Sequence, residues 1–136
     1  MARLVTELMK AQGYQTRMSP PGADGGVDII AGRGPLGFDP PRICVQVKSS
    51  DEPASVNVLR ELQGVVRSFG ADHGLFVSWG GFKSSVINEA RRLYFEIRLW
   101  DGGDLVERVL ENYDRLPDEV QAELPLKRIW TLVPEE

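Results

Sequence analysis

Two stretches decide how this chain folds: Gly25-Gly26-Val27-Asp28-Ile29-Ile30-Ala31 and Ile43-Cys44-Val45-Gln46-Val47-Lys48-Ser49-Ser50. In the second, Ile43, Val45 and Val47 fall on alternate positions, the period of a strand with one face against a core. Cys44, Gln46 and Lys48 then share the other face. The first stretch also reads as a strand, and its aspartate interrupts an apolar run where a charge is costly without a partner or a cation. If the two runs pair as a hairpin, Asp28 joins the Gln46/Lys48 face in any register that keeps their parities matched. A carboxylate, a carboxamide and an amine gathered there form a metal-site constellation, because hard oxygen donors suit a hard cation.

Working outward, Leu4, Val5, Leu8 and Met9 recur at helical spacing, predicting a helix over 2–12 that Gly13 caps. A short strand is expected at 14–18, ended by Pro20-Pro21-Gly22. The run Gly34 to Pro41 reads as a long loop, too broken by Pro and Gly for a strand. Beyond Lys48, Ser55 is placed to cap a helix with apolar residues at Val58, Leu59, Leu62, Val65, Val66 and Phe69. Gly64 inside it implies close packing against the sheet. Leu75–Trp79 reads as a buried strand reached by a crossover, which favours parallel pairing with the Lys48 strand. A third helix over Ser84–Tyr94 burying Val86, Ile87, Ala90 and Leu93 follows, then a strand at Phe95–Trp100. Asp104 with Glu107 predicts a capping box for a helix burying Leu105, Val106, Val109, Leu110 and Tyr113. Pro117 and Pro125 bracket a short helical segment, and Ile129–Val133 is apolar enough for a last strand or a packed tail.

With Asp28 followed by Val45-Gln46-Val47-Lys48, and the glycine-rich Gly22-Ala23-Asp24-Gly25-Gly26 before them, the chain resembles the Mrr-like restriction endonucleases. These are a branch of the PD-(D/E)xK nuclease superfamily in which glutamine often replaces the middle acid. The resemblance runs from about Leu4 to Val106, taking in Gly13-Tyr14 and Gly81-Phe82-Lys83-Ser84-Ser85. It implies an α/β fold with a restriction-endonuclease-like αβββαβ core and a mixed central sheet flanked by helices. It also implies a metal-dependent endonuclease that hydrolyses DNA, of the Mrr restriction or defence type. Asp28, the Gln46 side chain and the Val47 backbone carbonyl would ligate Mg²⁺, or Mn²⁺, while Lys48 holds or polarises the attacking water. Arg33 and Arg42 at the roots of the 34–41 loop, with Lys83, Ser84 and Ser85 at a helix start, are candidate DNA contacts. Relatives carry an aromatic-acidic pair near the start of the first helix, where this chain has Ala2 and Arg3. Glu7 is the only acid on that helix and the substitute candidate for catalysis; its bland reading is a solvated surface residue. The missing pair motivates the alternative: a catalytically inactive nuclease-fold domain that binds nucleic acid or a protein partner.

The composition suits one domain over 1–136, with a core of about 2–106 and a helical extension over 107–136. Of its 136 residues, 42% are hydrophobic and 26% charged, which excludes a disordered chain. Residues 1–100 hold 12 Lys+Arg and 10 Asp+Glu, whereas 101–136 hold 4 and 10, so the acidity lies in the final segment. The net charge of −4 argues against a protein that coats nucleic acid by charge alone. No apolar run is long enough to span a membrane and no signal-peptide pattern opens the chain, so a cytoplasmic location with no membrane partner is expected. Because one site cuts one strand per encounter, a homodimer is the expected partner, alongside DNA and any further domains of a longer parent chain. Cys44 and His73 are the single residues of their types, which excludes a Cys/His zinc cluster; Cys44 reads as a small core residue and His73 as an exposed loop residue.

Overall fold

The computed structural model describes residues 1–20 and 26–123. The elements are α1 (Ala2–Ala11), β1 (Gln15–Met18), β2 (Ile29–Arg33), β3 (Asp39–Lys48), α2 (Val56–Ser68), β4 (His73–Ser78), α3 (Ser84–Arg91), β5 (Ile97–Trp100), α4 (Gly102–Asn112), a 3-10 turn over Tyr113–Arg115, and α5 (Asp118–Glu123). The strands form one mixed sheet in the order β1-β2-β3-β4-β5. The two hairpin steps, β1–β2 and β2–β3, are antiparallel, while β3–β4 and β4–β5 are parallel, as helical crossovers require. This is the αβββαβ core expected from the sequence.

Strand parity sorts the apolar residues into two cores. Ile29, Ala31, Val45, Leu75 and Val77 meet Val5, Leu8 and Met9 of α1 and Leu105 and Val109 of α4. Cys44, Phe76 and Ile97 meet Leu59, Leu62, Val65 and Val66 of α2 and Val86 and Ala90 of α3 on the opposite face. Gly13 caps α1 as expected, with φ +96° and its N–H bonded to the Lys10 carbonyl at 2.9 Å.

Several local expectations fail, each for a physical reason. Strand β3 begins at Asp39 and runs through Pro40 and Pro41, so the connection from β2 is only five residues long. Prolines are tolerated there because β4 starts at His73, opposite Ile43, and the first residues of β3 have a strand on one side only. The capping box sits one turn earlier than expected: Asp101 accepts from the Asp104 N–H at 2.9 Å and Asp104 accepts from the Asp101 N–H at 3.0 Å. Gly64 is exposed and a Cβ there would meet nothing within 4 Å, so it does not pack on the sheet. Phe69, Ile87, Val106 and Leu110 are exposed at the edges of stripes whose centres are buried. His73 opens β4 and does not lie in a loop, with its ring Nδ1 2.9 Å from the Phe95 carbonyl oxygen. The expected segment Ile129–Val133 lies outside the described residues.

Candidate active site

Parallel pairing aligns the carboxyl ends of β3 and β4, Lys48 beside Ser78, and the start of β2 lies at the same end of the sheet because β2 runs antiparallel. Helices α2, α3 and α4 all begin at this end, each following a strand that finishes there. Open α/β sheets bind ligands at such strand ends.

Asp28 reaches this end by an irregularity. Ile29 is the register partner of Val45, yet the Asp28 N–H also donates to the Val45 carbonyl at 2.8 Å, so two successive residues meet one partner. This bulge-like step re-aims the side chain. The Asp28 carboxylate Oδ2 accepts from the Val47 N–H at 2.7 Å, and its other oxygen has no hydrogen-bond partner among the described residues. A strand residue's N–H and C=O point to the same neighbour, so the Val47 carbonyl also faces Asp28. Gly26 precedes this step with φ +71°, a left-handed conformation that favours glycine.

Gln46 is 9% exposed, and its side-chain oxygen Oε1 is buried without a hydrogen-bond partner. Lys48 lies two residues on, exposed and free of ion pairs. The Asp28 carboxylate bonded to the Val47 amide, the unpaired Gln46 oxygen and the Val47 carbonyl are three oxygen donors brought to one end of two paired strands. Such a set fits a hard divalent cation that completes its coordination with water and substrate oxygens. The buried, unpaired Gln46 oxygen is the observation in favour, since buried acceptors are ordinarily satisfied.

The other candidates are distributed unevenly. Lys83 and the first residues of α3, Ser84 and Ser85, are exposed at the same end as Lys48, with Lys83 unpaired. Arg33 and Arg42 lie at the opposite end: Arg33 pairs with Asp39 across the hairpin and stacks over the Tyr14 ring at 4.4 Å, while Arg42 bonds Asp72. Glu7 stands on α1, the helix that covers the other sheet face; its carboxylate is 3.6 Å from Lys10 Nζ and makes no bond to Asp28. Cys44 is buried, and that burial pushes its thiol up, consistent with an inert core residue. Ser78, which sequence reasoning did not single out within the Leu75–Trp79 strand, is fully buried beside Lys48 with its hydroxyl unpaired. A cavity of about 480 Å³ lined by Met9, Tyr14, Ile43, His73, Arg98 and Arg108 among others touches none of Asp28, Gln46 and Lys48. The candidate site at the strand end is thus separate from that cavity.

The Mrr_cat family model, described as restriction endonuclease, matches residues 1–109. The chain belongs to that family. Its fold is similar to that of the DNA modification-dependent restriction endonuclease AspBHI, at 18% identity and a TM-score of 0.64 over 89% of this chain and 33% of that one. The MspJI restriction endonuclease, solved in complex with a 27-mer oligonucleotide, is 24% identical with a TM-score of 0.54 over 91% of this chain and 30% of that one. AF1548, a protein of unknown function, gives 17% identity and a TM-score of 0.63 over 90% of this chain and 74% of that one. The chain spans about a third of the length of the two restriction endonucleases. No curated protein sequence matches it. Restriction-endonuclease-like nucleases generally use divalent metals. No helix among the described residues is long and apolar enough to cross a membrane.

Proposed function

We propose that this chain is the catalytic domain of a metal-dependent DNA endonuclease of the Mrr restriction type, hydrolysing phosphodiester bonds at the Asp28–Gln46–Lys48 strand end. The observation that carries this reading is the Gln46 oxygen, buried and unpaired one residue before Val47, whose amide the Asp28 carboxylate holds. Asp28, Gln46 Oε1 and the Val47 carbonyl would hold Mg²⁺ or Mn²⁺, which when bound neutralises charge building on the phosphate in the transition state. Lys48, in water and without an ion pair, orients the attacking water and donates to the phosphate. The exposed amides opening α3 and the Lys83 ammonium receive a neighbouring backbone phosphate. One site cuts one strand, so a double-strand break takes two copies of the chain. The work is cytoplasmic, and further domains of a longer protein supply the choice of DNA.

One observation favours a second reading, a nuclease fold that binds nucleic acid or a protein partner without turnover: no group of three His, Cys, Asp or Glu side chains suited to a metal occurs among the described residues. Incubation with supercoiled plasmid, linear duplex, single-stranded and methylated DNA in Mg²⁺ or Mn²⁺, with EDTA as control, separates the two. The nuclease reading expects cation-dependent nicking that EDTA abolishes. A chain that retains these DNAs on a gel yet leaves every one intact in both cations is the non-catalytic domain.

A further inference from the structure

Three buried side-chain polar atoms among the described residues have no hydrogen-bond partner: Thr16 Oγ1, Gln46 Oε1 and Ser78 Oγ. An unsatisfied buried polar group destabilises a fold, so each requires a reason. Thr16 stands across from Ala31, on the face covered by α1 and α4. The other two share the α2/α3 face at the candidate active site. Ser78 ends β4 as the register partner of Lys48 and is 0% exposed, and Gln46 lies two residues before Lys48 on the neighbouring strand. Strand spacing and rise put the Cβ atoms of Gln46 and Ser78 roughly 8 Å apart. A cation together with one of its hydration waters has the reach to span that separation.

We propose that Ser78 is a positioning residue of the cation site, its hydroxyl accepting a hydrogen bond from a hydration water of the divalent cation that Gln46 Oε1 ligates. The inference rests on the nuclease reading of this site and deepens it by adding a partner outside the ligand set. One hydrated cation satisfies both unpaired atoms together, which a ligand bound by Gln46 alone does not. Ser78 also opens the turn closed by the Gly81 N–H on its carbonyl, a position where serine is common, but its fully buried, unpaired hydroxyl is not explained by the turn. Groups that orient a metal's ligands from outside the ligand set affect affinity without touching the ion.

The test is Mn²⁺ alone, titrated into DNA-free wild-type protein, Ser78→Ala and Thr16→Ala, read by calorimetry and by water-proton relaxation, with metal-free thermal melts of each. Ser78→Ala is expected to weaken Mn²⁺ binding about 10–100-fold while melting at or above the wild-type temperature. Thr16→Ala, the same kind of unpaired hydroxyl on the other face, is expected to keep wild-type Mn²⁺ affinity. Equal Mn²⁺ affinity in wild type and Ser78→Ala overturns the role of Ser78 and leaves the nuclease reading standing. A sharply lower metal-free melting temperature in Ser78→Ala also overturns it, because the hydroxyl then holds the fold. Wild-type protein that binds no Mn²⁺ overturns the role of Ser78 in a preformed cation site, and the nicking assay then decides the nuclease reading separately.

Discussion

The two ends of the central sheet treat their polar groups in opposite ways. At the hairpin end, Arg42 donates its N–H to Asp72 at 2.8 Å and its Nε lies 3.5 Å from the same carboxylate, Arg33 stacks on Tyr14, and Arg98 stacks on Tyr94 at 4.3 Å. At the strand-end site, Gln46 Oε1 and Ser78 Oγ are buried unpaired, and Lys48 and Lys83 have no partner among the described residues. The first end ties its charged side chains to protein neighbours, whereas the second leaves its polar groups without protein partners. That is the pattern expected when a site is assembled against local stability.

The largest expected effect is at Lys48. Lys48→Met should lower cleavage by about 10²–10⁴-fold, the range for a positioned proton-transfer or water-orienting group. Because Lys48 is exposed and unpaired, thermal melts should place the variant within about 0.5 kcal/mol of wild type. A variant that melts far below wild type would mean that the site end is held together like the hairpin end, and the contrast between them would collapse.

A smaller effect should come from a place that belongs to neither end. Gly64 faces solvent on α2, and a methyl group added to its Cα would find nothing within 4 Å, so Gly64→Ala should add about 1 kcal/mol of stability, read from urea unfolding, with cleavage unchanged. If the gain in stability lowered cleavage, motion of α2 would have to be part of the site's work.

The smallest effect tests the paired end through pH. The Arg42 backbone N–H, helped by its guanidinium, holds the Asp72 carboxyl below its ordinary range. As pH falls, the unfolded chain takes up this proton first. The stabilisation is therefore present above the ordinary aspartate value of about 3.9 and is lost as pH drops through the lower folded value. Asp72→Asn should flatten that part of the acid-unfolding curve and leave cleavage near neutral pH untouched. Loss of cleavage would connect the hairpin end to the site.

Much of this arrangement was legible from residues alone, because strand parity and helical period report directly on which side chains are buried. Alternation at Ile43, Val45 and Val47 gave the β3 face, and the crossover through α2 gave its parallel pairing with β4. The strand through Pro40 and Pro41 was not legible, since whether a missing N–H matters depends on how far the neighbouring strand extends. Nor was the Asp101 cap: Asp101 and Asp104 are both good caps by type, and only the direction of the chain leaving β5 chooses between them. In the site, the Asp28 and Lys48 positions followed from residue type, but the bulge-like step that turns Asp28 onto the Val47 amide left no compositional mark. Ser78 escaped notice because one serine closing an apolar run reads as ordinary; only the absence of a bonding partner distinguishes it.

The short α5 has a consequence for modularity. The family match ends at residue 109, yet Leu116 and Val120, each 3% exposed, fill the same buried cluster as Val5 and Leu8, and Arg3 at the head of α1 pairs with Glu119 at 2.9 Å. The buried Leu116 and Val120, with the exposed Arg3–Glu119 pair, tie the segment beyond residue 109 to the first helix. The core around α1 therefore extends past the matched family segment, and trimming the chain to residue 109 would open Val5 and Leu8 to water.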